Sequence, residues 1–273
     1  MRTQAEKGAA FRALHAREGA FILPNPWDPG TARLLAKLGF EALATTSAGY
    51  AFSIGKLDHE VDRDAMIEHV GVLAAATDLP VSADLDNGFG DAPEAAAETI
   101  RRAGKAGVVG GSIEDSTGRA SDPIYAHALA VERIRAAAEA ARSLAFPFTL
   151  TARAENFLVG RPDLADTVKR LQAYQEAGAD VLYAPALTRP EDIATVVRCV
   201  DRPVNVLMGL KGVRLGLADL AALGVKRVSV GSGLALAALG AFLRAAREMQ
   251  EHGTFSFAEE GASSRDIKAL LGS

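Results

Sequence analysis

Eight short apolar segments recur along the chain, and each is followed by a stretch in which apolar residues repeat at helical spacing. The segments are residues 21–23, 42–46, 81–86, 111–114, 149–153, 181–184, 204–207 and 227–230. Four of the helical stretches end in a glycine, as helices often do, at Gly39, Gly107, Gly178 and Gly224. Strand and helix repeated eight times predict an α/β fold, the (β/α)8 TIM barrel, whose usual length of about 250 residues suits this chain of 273.

An open, doubly wound sheet is the alternative, because it is built from the same alternating units. The barrel is favoured by the count of eight and by the lack of a Gly-x-Gly-x-x-Gly motif at the first helix. No Pro-, Ser- or Gly-rich linker divides the chain, so we predict one barrel domain over residues 1–273. Within it, residues 1–20 form an N-terminal helix, and the apolar tail 253–273 packs on the barrel or on a neighbouring subunit.

The composition limits which kinds of partner the protein can bind and which cellular compartment is expected for it. A formal net charge of −4 provides no basic surface for nucleic acid or for a membrane. The N-terminus lacks a continuous hydrophobic run, and no segment approaches the roughly 20 apolar residues of a membrane span, so we expect a cytoplasmic protein. The single cysteine, Cys199, excludes an internal disulfide and is expected in the core, whereas His15, His59, His69 and His252 are expected at the surface.

Two carboxylates lie at the end of the third predicted strand, in the stretch of residues 82–91. Asp84 and Asp86 are two residues apart, so on a strand their side chains would project from the same face. Like charges at close range are costly unless a cation lies between them, and oxygen-only ligands suit Mg²⁺ or Mn²⁺ better than Zn²⁺. The alternative is an Asx-rich turn in which Asp91 caps the next helix.

A barrel carries its active site at the carboxyl ends of its strands, where further polar residues occur in this sequence. They are residues 45–49 after strand two, Glu114, Asp115 and Ser116 at strand four, Arg153, Glu155 and Asn156 at strand five, and Asn205 in strand seven. An arginine binds a carboxylate through two parallel hydrogen bonds, so this set suits a small substrate with carboxylate and carbonyl oxygens. Alternatively, Arg153 only neutralises the acidic residues as a buried ion pair.

The motifs at these positions resemble the isocitrate lyase and phosphoenolpyruvate mutase superfamily, in particular its carboxyphosphonoenolpyruvate phosphonomutase-like members. They are, in family order, Asn25-Pro26-Trp27-Asp28, Thr46-Ser47-Ala48-Gly49, Ser53-Ile54-Gly55 with Asp58, and residues 83–90, 113–115, 152–156 and 203–207. The resemblance implies a TIM barrel whose C-terminal helix is exchanged between the subunits of a homodimer or homotetramer.

The resemblance also implies roles for individual residues. A Mg²⁺ ion, or Mn²⁺ in its place, would be held by Asp84, Asp86 and Glu114, the last two directly or through water. The implied substrate-binding residues are Ser47, Ala48, Gly49, Asp84, Arg153 and Asn205, the first three through backbone N–H groups. The implied catalytic residues are Asp58 and Arg153.

The segment after strand four departs from the pattern of the family's lyases. Those lyases usually carry a Lys-x-Cys-Gly-His-like loop there, with the cysteine as acid or base, whereas residues 116–125 contain neither cysteine nor lysine. Tyr50, Arg119, Tyr125 and His127 are candidate proton donors, each of which could equally be a packing or surface residue. The general acid is therefore unassigned, and the lack of a lysine at any strand end argues against a Schiff-base aldolase.

We therefore predict a magnesium-dependent lyase. It would cleave a C–C bond next to the carbonyl of a small 2-oxo acid, or in a 2-hydroxy di- or tricarboxylate, through an enolate stabilised by the metal. One alternative is a C–P bond mutase or hydrolase that acts on a phosphonopyruvate-like substrate. The other is a non-catalytic protein that binds 2-oxo acids.

Overall fold

The computed structural model describes residues 2–272 and contains eight parallel strands around a common axis. The strands are β1 (Phe21–Leu23), β2 (Leu43–Ala44), β3 (Val81–Asp84), β4 (Gly110–Glu114), β5 (Thr149–Arg153), β6 (Val181–Tyr183), β7 (Val204–Leu207) and β8 (Arg227–Ser229). Their hydrogen-bonded order is β1-β8-β7-β6-β5-β4-β3-β2. The N–H of Ala44 donates to the carbonyl of Pro24 at 3.0 Å, which nearly closes the sheet between β1 and β2. The predicted (β/α)8 TIM barrel is confirmed.

Helices surround the barrel, and the apolar core lies between them and the strands. They are α1 (Gln4–Ala16), α2 (Pro29–Lys37), α3 (Ser47–Ser53), α4 (Arg63–Ala75), α5 (Pro93–Lys105), α6 (His127–Arg142), α7 (Leu164–Ala177), α8 (Pro190–Cys199), α9 (Leu217–Ala222), α10 (Gly233–His252) and α11 (Ser264–Leu271), with a 3₁₀ turn at Ser256–Glu259. Ile100 on α5 and Leu171 on α7 are fully buried against strand residues such as Ile113 and Leu150. As expected for residues that end helices, the four glycines named above have positive φ angles.

One hydrogen-bonded row of the sheet places polar side chains inside the barrel. Its register pairs Glu114 with Arg153, Arg153 with Tyr183, Tyr183 with Asn205, and Asn205 with Arg227. Paired residues of neighbouring strands project from the same face of a sheet. All five side chains therefore face the barrel interior, where they line one cavity.

Two strands, β2 and β3, are shorter than the sequence predicts by more than one residue. β3 ends at Asp84, and Asp86 lies in a turn with a φ of 47°, so strand alternation is not what brings the two carboxylates together. β2 ends at Ala44 because Thr46 caps α3 and its side chain accepts a hydrogen bond from the N–H of Gly49. In both places the chain leaves the strand early to form the rim of the barrel.

Three of the burial predictions are wrong. Cys199 is exposed, because it is the last residue of α8. His15 is buried between the rings of Phe11 and Phe21. His69 is also buried, with its ring stacked on that of Tyr50 at 3.6 Å. Both residues lie on the inward faces of helices, where the weak apolar periodicity of α1 and α4 conceals them.

The long helix α10 makes little contact with its own barrel. Of its residues only Ala235 is buried within the described part of the chain, and Phe242 is 66% exposed. On the barrel, Ile22 of β1 is 39% exposed although strand residues on the outer face are normally covered by helices. The following helix, α11, lies beside α2. No helix within residues 2–272 is long and apolar enough to cross a membrane.

Candidate active site

A cavity of about 270 Å³ opens at the carboxyl ends of the strands and extends into the barrel interior. Eight of the nine site residues predicted from the sequence line it: Ser47, Ala48, Asp58, Asp84, Asp86, Glu114, Arg153 and Asn205. The ninth, Gly49, is buried in α3 and does not line the cavity. Residues scattered over most of the chain therefore meet in one place.

Three of these residues form an acidic cluster, which consists of Asp84, Asp86 and Glu114. One carboxylate oxygen from each lies within 4.8 Å of the others. The turn that carries Asp86 is tied to β4, because the N–H of Glu114 donates to the carbonyl of Asp86 at 3.0 Å. Burial, together with the charges of Asp84 and Asp58, raises the pKa of Asp86 to about 8. Burial also raises the pKa of Glu114 well above its ordinary value.

The acidic cluster fits a hard divalent cation. The Oδ1 atom of Asp86 is buried and has no hydrogen-bond partner within the described residues, and Nδ1 of His59 lies 3.8 Å from it, so this oxygen is available to an ion. Carboxylate oxygens alone are the ligands that suit Mg²⁺ or Mn²⁺. Asp58 and His59, both exposed, form a second such group with Asp86 on the outer side of the same cluster.

Arg153 lies among the acidic residues. Its Nη1 atom is 2.9 Å from Oδ1 of Asp84 and 3.1 Å from Oε2 of Glu114, and its Nε atom donates to Glu155 at 2.8 Å. Burial alone would lower the pKa of Arg153, but Glu155, Glu114 and Asp84 together raise it well above its ordinary value. The guanidinium also lies over the ring of Tyr183, 5.2 Å from its centre. Its Nη2 atom makes no hydrogen bond within residues 2–272 and can therefore bind a ligand.

A buried chain of contacts holds Arg153 in this orientation. The N–H of Glu155, whose carboxylate accepts from Arg153, donates to Oδ1 of Asp115 at 2.8 Å. The other oxygen of Asp115 accepts from Arg170 at 3.1 Å and from the hydroxyl of Tyr174. Side chains of α7 thereby fix the backbone that follows β5.

The backbone N–H groups in the turn into α3 were expected to bind the substrate, but two of them bind protein side chains instead. The N–H of Ser47 donates to Oδ2 of Asp84 at 3.1 Å, and that of Gly49 donates to Thr46 at 3.2 Å. Two of the three N–H groups that were expected to hold the substrate are therefore engaged within the protein, because they cap the helix and orient the carboxylate. The N–H of Ala48 makes no hydrogen bond in the described chain. The hydroxyl of Ser47 lies 3.0 Å from Asp84 and 3.1 Å from Asp58.

Asn205 lies deep in the cavity rather than at its rim. Its Nδ2 donates to the hydroxyl of Ser229 at 2.9 Å, and its Oδ1 accepts from Nε of Arg227 at 2.9 Å. Tyr183, Arg227 and Ser229 were missed from the sequence as site residues. Polar residues alternate with apolar ones along β7 and β8, and this alternation is the signal that could have identified Arg227 and Ser229, whereas Tyr183 follows two apolar residues and has no such signal.

The segment after β4 does not supply the missing general acid. Ser116 pairs with Ile124 across the loop, Arg119 forms an ion pair with Asp91 at 3.0 Å, and the hydroxyl of Tyr125 donates to Asp91 at 2.7 Å. These contacts hold the loop against the segment that follows β3. Within the described chain, none of the four candidate proton donors lines the cavity: Tyr50, Arg119, Tyr125 and His127. His59, which was expected only as a surface residue, lines the cavity at its rim.

Comparisons with known proteins agree with the motifs. The family model described as phosphoenolpyruvate phosphomutase matches residues 11–250. A crystal structure from Burkholderia cenocepacia J2315, provisionally described as a lyase/mutase, is 66% identical with a TM-score of 0.96 and covers 99% of this chain and 97% of that chain. The 2-methylisocitrate lyase of Bacillus subtilis (strain 168) is 35% identical over 213 residues, which are 74% of this chain and 67% of the relative. An oxaloacetate decarboxylase of Chromohalobacter salexigens is 30% identical over 254 residues, 88% of this chain and 84% of the relative. The chain therefore belongs to the phosphoenolpyruvate phosphomutase family and is an enzyme of the isocitrate lyase and phosphoenolpyruvate mutase superfamily.

Proposed function

We propose that this enzyme is a magnesium-dependent lyase that breaks a C–C bond next to the carbonyl of a small 2-oxo acid, or in a 2-hydroxy di- or tricarboxylate. The observation that carries the proposal is the meeting of Asp84, Asp86 and Glu114 with Arg153 in one cavity. Similarity to a 2-methylisocitrate lyase and to an oxaloacetate decarboxylase supports the same class of reaction.

The acidic cluster is the proposed metal site. Asp84, Asp86 and Glu114 would hold Mg²⁺, or Mn²⁺ in its place. Bound there, the cation would supply Lewis-acid stabilisation of the charge that develops on the substrate carbonyl.

The protein's own groups bind and orient the substrate. Arg153 offers its Nη2 atom to the carboxylate next to the carbonyl, while Glu155 fixes the plane of the guanidinium. The free N–H of Ala48 donates to the same end of the substrate. Leu158 and Val159, at the rim, restrict the entry of water. Asp58 is the proposed catalytic carboxylate, since it is exposed at the rim and is joined to the metal cluster through the hydroxyl of Ser47.

Two other activities remain candidates, each because of a specific observation. The description of the matching family favours C–P bond rearrangement or hydrolysis of a phosphonopyruvate-like substrate. Arg119 and Tyr125 in the loop after β4 are held by Asp91 and do not line the cavity, which favours a protein that binds 2-oxo acids without turning them over.

A substrate panel with purified protein and Mg²⁺ distinguishes these activities. We expect pyruvate, glyoxylate or CO₂ to be released from a 2-oxo or 2-hydroxy acid, and solvent deuterium to appear at C3 of a bound 2-oxo acid. Glu98→Ala, on the exposed face of α5, is a matched control that should keep full activity. Release of phosphate from phosphonopyruvate, or its rearrangement, would support the second candidate. Tight binding without turnover or deuterium exchange would support the third.

The exposure of α10 supports a further part of the proposal, the exchange of this helix between subunits. A second copy of α10 would cover Ile22 and would bury apolar residues such as Leu236 and Phe242. We propose that the chain is one barrel domain that forms a homodimer or homotetramer in this way. The tail after Gly253 would then continue across the joined surface.

A further inference from the structure

Arg227 is a charged side chain inside the barrel without a charged partner. It opens β8, is 4% exposed, and lines the same cavity as the acidic cluster. No carboxylate of the described residues forms an ion pair with it. A buried charge normally has a counter-charge, because removing an ion from water is costly.

Every partner of Arg227 is neutral. Its Nε donates to Oδ1 of Asn205 at 2.9 Å, and its Nη2 donates to the hydroxyl of Thr151 at 3.0 Å. Its Nη1 lies 3.4 Å from Nε2 of His15, whose Nδ1 is 2.8 Å from the carbonyl of Phe11. Burial lowers the pKa of His15 to about 3, so the imidazole adds no charge at neutral pH. A guanidinium has five N–H groups, so two of them remain after these three contacts.

Of the other arginines inside the protein, two contact carboxylates, and the third, Arg133, has neutral partners as Arg227 has but does not line the cavity. Arg153 contacts three carboxylates, and Arg170 contacts two. Arg133 faces backbone carbonyls, among them those of Gly90 and Asp91, outside the cavity. Burial lowers the pKa of Arg227 to about 10, which leaves it protonated at neutral pH. The cavity therefore contains two arginines: Arg153, at the end of β5 near the mouth, has carboxylate partners, whereas Arg227, at the start of β8, has none. We call the region around Arg227 the cavity floor.

The floor is built to receive an acceptor group. Arg227 and Asn205 are paired in the register of β7 and β8, and Ser229 follows two residues later on the same face of β8. The volume of about 270 Å³ corresponds to about nine water molecules, which is enough for a small dicarboxylic acid.

We propose that Arg227, with Ser229 beside it, forms a second anion subsite at the cavity floor, where it binds the distal carboxylate of a dicarboxylate substrate. The inference rests on the proposed function, in which Arg153 and the metal site bind the first carboxylate of the substrate. It makes Arg227 a determinant of specificity: acids of equal length are distinguished by whether the far end carries a charge.

Calorimetric titration with Mg²⁺ and matched pairs of acids tests this subsite. Oxaloacetate is compared with 2-oxobutanoate, and 2-oxoglutarate with 2-oxopentanoate, because each pair differs only at the distal end. A charged hydrogen-bonded contact predicts about 10- to 100-fold tighter binding of the dicarboxylate of at least one pair. Arg227→Met should remove this preference, and Arg227→Lys should keep part of it. Lys226→Met removes the neighbouring positive charge, which faces the carbonyls of Arg17 and Gly19 outside the cavity, and should change nothing.

Oxalate binding distinguishes an error in the proposed subsite from an error in the proposed function, because oxalate is too short to reach Arg227 from the metal site. Its Mg²⁺-dependent binding should be the same in wild type and Arg227→Met. The subsite is overturned if wild type shows no preference in either pair, or if Arg227→Met weakens oxalate as much as the dicarboxylates. Competition by inorganic phosphate or chloride that is relieved in Arg227→Met, with no dicarboxylate preference, would also overturn it, because the site would then hold a free anion. If Arg227→Met does not fold, the preference in wild type and its reduction in Arg227→Lys decide the question. If oxalate does not bind to the wild-type protein in the presence of Mg²⁺, this result contradicts the proposed function itself.

Discussion

The Nη1 atom of Arg153 lies 2.9 Å from Oδ1 of Asp84. The same nitrogen is 3.1 Å from Glu114, so the arginine contacts two of the three proposed metal ligands while its Nη2 atom stays available to a substrate. In the proposed site this one side chain would therefore limit the repulsion within the acidic cluster and also bind the ligand. The two functions predict different effects for a conservative substitution and for a neutral one.

Arg153→Lys keeps the positive charge but loses the planar pair of donors. We expect oxalate affinity in the presence of Mg²⁺ to fall by about 10- to 100-fold, because a single ammonium group cannot contact the surrounding carboxylates and also donate to the ligand as Nη2 does. Thermal stability should change little, whereas Arg153→Met should be clearly less stable because it leaves the buried carboxylates without a counter-charge. Equal oxalate affinities in wild type and Arg153→Lys, measured by calorimetry, would exclude a direct contact with the ligand.

Arg133 stabilises the turn that carries Asp86. It is 1% exposed and donates to the carbonyls of Asn87, Gly90 and Asp91. Arg133→Met leaves these groups without a donor and should lower the free energy of unfolding by about 2–4 kcal/mol. The affinity for Mg²⁺ should fall as well, since the turn is less well held.

Urea denaturation, with and without Mg²⁺, measures both effects. The control is Arg135→Met on the exposed face of the same helix, which should change stability by less than about 0.5 kcal/mol. A stability loss in Arg133→Met no larger than that of the control would show that the turn forms without the arginine.

Two buried histidines predict how stability depends on pH. Burial lowers the pKa of His69 to about 4 and that of His15 to about 3. Between pH 6.5 and 4 these two positions therefore bind protons in the unfolded chain but not in the folded chain, so their contribution to stability is present above pH 6.5 and decreases as the pH falls. Each such proton is worth about 1.4 kcal/mol per pH unit. The raised pKa values of Asp86 and Glu114 contribute in the opposite direction, so the histidine contribution is measured as a difference between wild type and a variant.

His69→Phe removes the protonation site of one of these histidines while it keeps an aromatic ring stacked on Tyr50. The free energy of unfolding of this variant should decrease less steeply than that of wild type as the pH falls from 6.5 to 4. Parallel curves for the two proteins would mean that His69 takes up its proton in the folded state.

The apolar surface of α10 predicts an assembly that depends on it. Phe242→Asp places a charge on the most exposed large apolar side chain of this helix and should shift the protein towards monomer. Light scattering during size-exclusion chromatography measures the mass, and Leu38→Asp, an exposed apolar residue just after α2, is the control. A wild-type monomer at micromolar concentration would contradict the exchange of α10.

The barrel and most residues that line the candidate site could be predicted because they follow from local patterns. Glycines after helices and polar residues at strand ends are visible in the sequence, and the motifs around Asp84, Glu114 and Arg153 place the site. The early end of β3 could not be predicted, because Asp86 has a positive φ in a turn whose carbonyls are held by Arg133, a residue far along the chain. Arg227 was missed because the sequence does not show which face of a short strand points inward, and burial of a charge becomes apparent only when its neighbours are known.

Mn²⁺ binding, followed by electron paramagnetic resonance, tests the central claim most directly, because free and bound Mn²⁺ give different signals. Wild type should bind one equivalent that Mg²⁺ displaces, and Asp84→Ala should lose this site together with metal-dependent binding of oxalate. Equal affinity for Mn²⁺ in wild type and Asp84→Ala would contradict the assignment of the acidic cluster as the metal centre.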